Sequence, residues 1–83
     1  MNSVKLYTTP YCPFCNMAKS LLKRSEIPFE DVNVSNPSER AKIREQSGWP
    51  TVPVIYIGDE LVGGFDELQA AQRSGKLDEL LGN

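Results

Sequence analysis

At 83 residues, with 40% apolar and 24% charged side chains, the chain has the composition of a globular protein and the length of a single domain over residues 1–83. A net charge of −2 argues against a phosphate-backbone binder, whose domains gather a basic excess on one face, and no apolar run approaches the ~20 residues of a membrane span. Histidine is absent, which removes the Cys/His and Ser/His nucleophile pairs and leaves thiols and carboxylates as the available chemistry.

The N-terminal residues Met1 to Lys5 lack the basic patch and apolar stretch of a secretory signal, so a cytoplasmic, reducing location is expected. Val4 to Thr8 is rich in strand formers, and Thr9-Pro10 ends it. From Pro13 onward Phe14, Met17, Ala18, Leu21 and Leu22 recur at helical spacing, with Lys19, Lys23 and Arg24 late, and the helix ends near Ser25. After Pro28, the period-two run Phe29 to Val34 predicts a second strand. Asn36-Pro37-Ser38-Glu39 combines an N-cap residue, proline at the first helical position and Glu at the third, so a helix runs from there to about Gln46, with Gly48 ending it. Val52 and Val54 to Ile57 form a third run, Gly58-Asp59 turns the chain, and Glu60 to Val62 returns as the second arm of a hairpin. A last helical stretch carries Phe65, Leu68, Ala71, Leu77, Leu80 and Leu81, with an interruption at Ser74-Gly75. The order β-α-β-α-β-β-α predicts an α/β fold: a central four-stranded mixed sheet with helices on both faces.

Cys12-Pro13-Phe14-Cys15 falls at the junction of strand one and helix one, where a C-x-x-C reads as a redox site. Cys12 stands at the helix N-terminus, where unpaired N–H groups and the dipole favour a thiolate, while Cys15 lies one turn inside and more covered. The first is then the nucleophile and the second the resolving thiol. Two alternatives stay open: a metal site, although structural zinc wants four ligands and the chain offers two thiols, and two inert buried cysteines. No metal is expected.

Three segments together resemble the glutaredoxins, small dithiol members of the thioredoxin-fold superfamily. Tyr11-Cys12-Pro13-Phe14-Cys15 is similar to the family's Cys-Pro-Tyr-Cys centre with Phe for Tyr. Thr51-Val52-Pro53 is similar to its Thr-Val-Pro segment, and Gly63-Gly64-Phe65-Asp66 to its Gly-Gly-x-Asp segment. The resemblance implies a thioredoxin-like fold and a glutathione-dependent thiol–disulfide oxidoreductase with Cys12 and Cys15 as the redox pair. It implies a cis bond before Pro53, so placed that the backbone of Val52 meets the cysteinyl part of glutathione. The start of the last helix, Gly64, Phe65 and Asp66, would hold the γ-glutamyl end, with backbone N–H groups on the carboxylate and Asp66 on the amino group. Arg40 would meet the glycyl carboxylate, and Tyr11, Phe14 and Thr51 complete the glutathione site. Asp66 also reads as a plain helix cap, Arg40 as a solvated charge and Trp49 as a packing residue.

Two departures stand out. Thr9 occupies the place where many glutaredoxins carry Lys, and Trp49-Pro50 is similar to the single-cysteine members that bridge iron–sulfur clusters. The readings are therefore a reductase of protein disulfides and protein–glutathione mixed disulfides, a glutathione-ligated [2Fe-2S] carrier, or a thioredoxin-like redoxin served by a flavoprotein reductase. Expected partners are glutathione and disulfide-containing or glutathionylated proteins, with no nucleic acid, no membrane and a monomeric state.

Overall fold

The structure is a computed structural model that describes residues 2–82. Strand β1 (Val4–Thr8) alternates in burial as it alternates in sequence, with Val4, Leu6 and Thr8 sealed on one face and Lys5 and Tyr7 half-covered on the other. It pairs in parallel with β2 (Phe29–Asn33), from Val4 opposite Phe29 to Thr8 opposite Asn33, and antiparallel with β3 (Val54–Ile57). The hairpin mate β4 (Glu60–Gly63) completes a mixed sheet of order β2-β1-β3-β4.

Helix α1 (Pro13–Arg24) buries Cys15, Ala18, Leu21 and Leu22, a stripe at helical spacing, against the Val4/Leu6 face. The same face receives Leu68 and Ala71 of α3 (Phe65–Ser74) and Leu77 and Leu81 of α4 (Lys76–Leu81). Leu6, Leu22 and Leu68 are wholly buried, and each such burial contributes about 1.5–3 kcal/mol. The opposite face is covered by α2 (Pro37–Ser47) through Ile43, which packs with Val34, Val54, Tyr7 and Tyr56. Helices thus lie on both faces.

Because α2 buries Ile43 alone, its limits depend on local chemistry. Asn36 accepts the Ser38 N–H at 2.8 Å, a cap that contributes about 1 kcal/mol, and the Gly48 N–H closes the far end on the Arg44 carbonyl at 2.8 Å.

The limits of β3 and β2 differ from the sequence expectation. Strand β3 starts at Val54 instead of Val52, since Pro53 has no N–H to offer a ladder. Strand β2 ends at Asn33, although the Val34 N–H still reaches the Thr8 carbonyl at 2.8 Å. The interruption expected at Ser74-Gly75 is present and divides the final helical stretch into α3 and α4, giving β-α-β-α-β-β-α-α. Phe14 and Met17 share the apolar spacing of α1 yet are 55% and 45% exposed, so they are not core residues.

Candidate active site

Cys12 is the N-cap of α1: its backbone is extended, Pro13 follows at the first helical position, and its Sγ accepts the Cys15 N–H at 3.1 Å. The Cys12 thiol also donates to the Val52 carbonyl at 3.7 Å, which joins the start of α1 to the loop entering β3. The Val52–Pro53 peptide bond is cis. Both cysteines are free thiols, but their surroundings differ, with Cys12 partly exposed and Cys15 at 0% exposure. Burial pushes the Cys15 thiol up to about 12, and the hydrogen bond and charge of Cys12 act in the same direction; a backbone hydrogen bond from Thr9 and the Lys19 cation oppose it. One sulfur can be approached from solvent, while the other is held back as a protonated thiol.

Beside Cys12 runs a groove of about 260 Å³ lined by Phe14, the segment of Trp49 and Thr51 to Pro53, and Gly64 to Glu67 at the start of α3. Phe14 and Phe65 form one wall, with ring centroids 6.4 Å apart. Gly64 is the N-cap of α3, and Glu67 turns back to accept the Gly64 N–H at 3.0 Å. The helix cap therefore falls to Gly64 and Glu67, and Asp66 stays exposed at the groove. The N–H groups of the first helical turn have no intrahelical acceptor and can take an anion.

Of the residues singled out in the sequence, Phe14, Thr51, Val52, Pro53, Gly64, Phe65 and Asp66 come together here, and Cys12 reaches them through Val52. Tyr11 stands beside Cys12 in the chain at 95% exposure and does not line the groove. Arg40 lies apart, in a separate hollow with Ser35, Pro37, Ala41 and Arg44. Sequence reading missed Trp49 and Glu67 as groove residues. Trp49 packs over Gly63 and Gly64, and its place beside Thr51-Val52-Pro53 in the chain was the available signal. It also missed a polar cluster next to the cysteines. The Thr8 hydroxyl donates to Asp31 Oδ1 at 2.5 Å, and Lys19 Nζ lies 2.7 Å from Asp31 Oδ2. Burial raises the Asp31 carboxyl, but the hydrogen bonds from Lys19 and Thr8 and the Lys19 charge outweigh it and hold the group below its ordinary range.

A larger hollow of about 560 Å³ opens among Val4, Ile27, Phe29, Leu77 and Leu81, at the opposite end of β1 from the cysteines. The Cys12 sulfur instead touches Val52 of the smaller groove, so the chemistry belongs there. Among the described residues, no group of three or more His, Cys, Asp or Glu side chains converges as a metal site, and no helix is long and apolar enough to cross a membrane.

A strand-to-helix dithiol on a mixed sheet, facing a loop with a cis proline, defines a thiol–disulfide oxidoreductase of the thioredoxin fold. The family model described as Glutaredoxin matches residues 4–62. A glutaredoxin of Pseudomonas aeruginosa is 45% identical over 82 residues, covering 98% of both chains. The solution structure of glutaredoxin from Brucella melitensis superposes with a TM-score of 0.86 at 46% identity, over 98% of this chain and 89% of that one. A buckwheat glutaredoxin–glutathione complex gives 0.87 at 26% identity, over 98% and 77%. The chain belongs to the glutaredoxin family and is a glutathione-dependent disulfide oxidoreductase.

Proposed function

We propose that this enzyme, as a single glutaredoxin domain, reduces protein disulfides and protein–glutathione mixed disulfides through Cys12 and Cys15. Cys12, as the thiolate, attacks the substrate disulfide and forms a mixed disulfide, releasing one thiol. In the dithiol route Cys15 then attacks Cys12 Sγ, expels the second substrate thiol and leaves a Cys12–Cys15 disulfide for glutathione to reduce. In the monothiol route glutathione regenerates Cys12 directly. The observation that carries this reading is the asymmetry of the pair: Cys12 caps the helix at the groove, and Cys15 is sealed behind it with its thiol pushed up to about 12.

Glutathione takes the groove in this reading. Its cysteinyl backbone meets Val52, with Thr51, Pro53, Phe14 and the exposed Tyr11 around the sulfur. Its γ-glutamyl carboxylate meets the N–H groups of Phe65 and Asp66 beside Gly64, and the Asp66 carboxylate takes the α-amino group. Arg40, outside the groove lining, meets the glycyl carboxylate. The enzyme works as a monomer in the cytoplasm on disulfide-bonded and glutathionylated proteins and requires no metal.

Turnover of a glutathionylated peptide and reduction of a disulfide protein, measured for wild type and each single variant, test the reading. Cys12→Ser loses both activities by about 10³-fold or more. Cys15→Ser retains peptide deglutathionylation and loses most protein-disulfide reduction. Full deglutathionylation by Cys12→Ser would refute the assignment.

A further inference from the structure

Thr8, Lys19 and Asp31 come from β1, α1 and β2, and they meet on the face that also buries Cys15. Lys19 is one turn along α1 from Cys15, so both side chains lie on the same side of the helix. Its side chain is 24% exposed, and Asp31 fixes its end at 2.7 Å while Thr8 fixes Asp31 at 2.5 Å. Exposed ion pairs contribute little to stability, but this one confines an ammonium that would otherwise reach into solvent. Beyond burial, the groups acting on Cys15 are Cys12, the Thr9 backbone and, with the smallest influence, Lys19, which is the only cation among them.

We propose that Lys19, held in place by Asp31 and Thr8, is the cation that eases proton loss from Cys15 in the resolving step of the dithiol route. The inference rests on the two-route reading above. In that step the Cys15 thiol gives up its proton, a Cys15–Cys12 bond forms, the Cys12–substrate sulfur bond breaks, and the departing thiolate takes up a proton. Two electrons pass from the dithiol to the substrate. Lys19 keeps its own proton throughout and offsets the negative charge on a sulfur that solvent does not reach. Asp31 and Thr8 are positioning residues.

Side chains four residues apart on a helix are neighbours, with Cβ atoms about 5–6 Å apart. A neighbouring cation, discounted for its partial exposure and for the Asp31 carboxylate beside it, changes the thiolate population by about four- to tenfold. Nucleophilicity grows with thiol basicity and recovers nearly half of this on a logarithmic scale, so removing the charge slows the step by about two- to fourfold.

Quench-flow mixing of reduced protein with oxidised glutathione, followed by intact mass measurement, separates formation of the Cys12 mixed disulfide from its conversion to the Cys12–Cys15 disulfide. Lys19→Met should leave formation within twofold of wild type and slow conversion by two- to fourfold at pH 7, with the deficit unchanged up to about pH 9, where the Cys15 thiol is still protonated. Lys19→Arg should restore conversion. Asp31→Asn breaks the same bridge but retains the cation and removes the anion that offsets it, so it should slow conversion less than Lys19→Met. Equal slowing of both steps, equal loss in Lys19→Met and Asp31→Asn, or no rescue by Lys19→Arg would reduce the cluster to a structural tie and overturn the inference alone. A wild type that forms no mixed disulfide would overturn the two-route reading, and the inference with it.

Discussion

Gly63 closes β4 at a φ of +120°, a conformation that side chains of L residues rarely adopt. A Cβ placed on it would lie 3.0 Å from Trp49 Cη2, 3.0 Å from Glu67 Cγ and 3.2 Å from Trp49 Cζ2. Gly63→Ala therefore carries two costs, about 1–3 kcal/mol of backbone strain and about 1–3 kcal/mol of overpacking against the indole. Gly48 supplies the control, since its φ is +71° but nothing lies within 4 Å of an added Cβ. Gly48→Ala costs the backbone part alone, about 1–2 kcal/mol. For a domain of this size each kcal/mol moves Tm by about 4–8 °C. Thermal unfolding followed by circular dichroism should then show Gly63→Ala losing roughly 15–30 °C and Gly48→Ala roughly 5–15 °C. Trp49 is the sole tryptophan, so its emission should shift in Gly63→Ala and not in Gly48→Ala. Equal Tm losses with unchanged emission would refute the claim that the indole packs on this glycine.

Two further outcomes depend on protonation. Limited alkylation of the native reduced protein at pH 7–8, read by peptide mass mapping, should label Cys12 before Cys15, because Cys15 is buried and its thiol is pushed up to about 12; comparable labelling of both would contradict that burial. The Asp31 carboxyl is held below its ordinary range, so the stability it lends is complete above about pH 5 and is lost as pH falls through its folded value. Urea unfolding should show wild type more stable than Asp31→Asn near neutrality, with the gap narrowing between pH 5 and pH 2. A gap that persists at pH 2 would rule out the charged carboxylate as its source.

The redox pair was legible in the chain because helix capping is local. Cys12 and Pro13 mark the start of α1, and Cys15 follows within one turn. The groove residues on the Thr51-Val52-Pro53 and Gly64-Phe65-Asp66 segments were reached through resemblance, and the structure gathers them in one place. Glu67 was hidden because an acidic residue in the first turn of a helix reads equally well as a dipole partner. Trp49 was hidden because a large apolar residue after a helix reads as core. The Thr8–Asp31–Lys19 cluster gave no signal, since an isolated Thr, Asp and Lys on three elements carry no pattern until β1 and β2 are in register.

By itself the amino-acid order determined the elements, the limits of the helices and the dithiol at the junction, because periodicity and capping act over a few residues. Only the tertiary structure decided that Cys15 is sealed while Cys12 is reachable, that Val52, 40 residues away, meets the Cys12 sulfur, and that Arg40 lies outside the groove. Those facts depend on strand order and on which face each helix covers, and they arise from packing between segments distant in the chain.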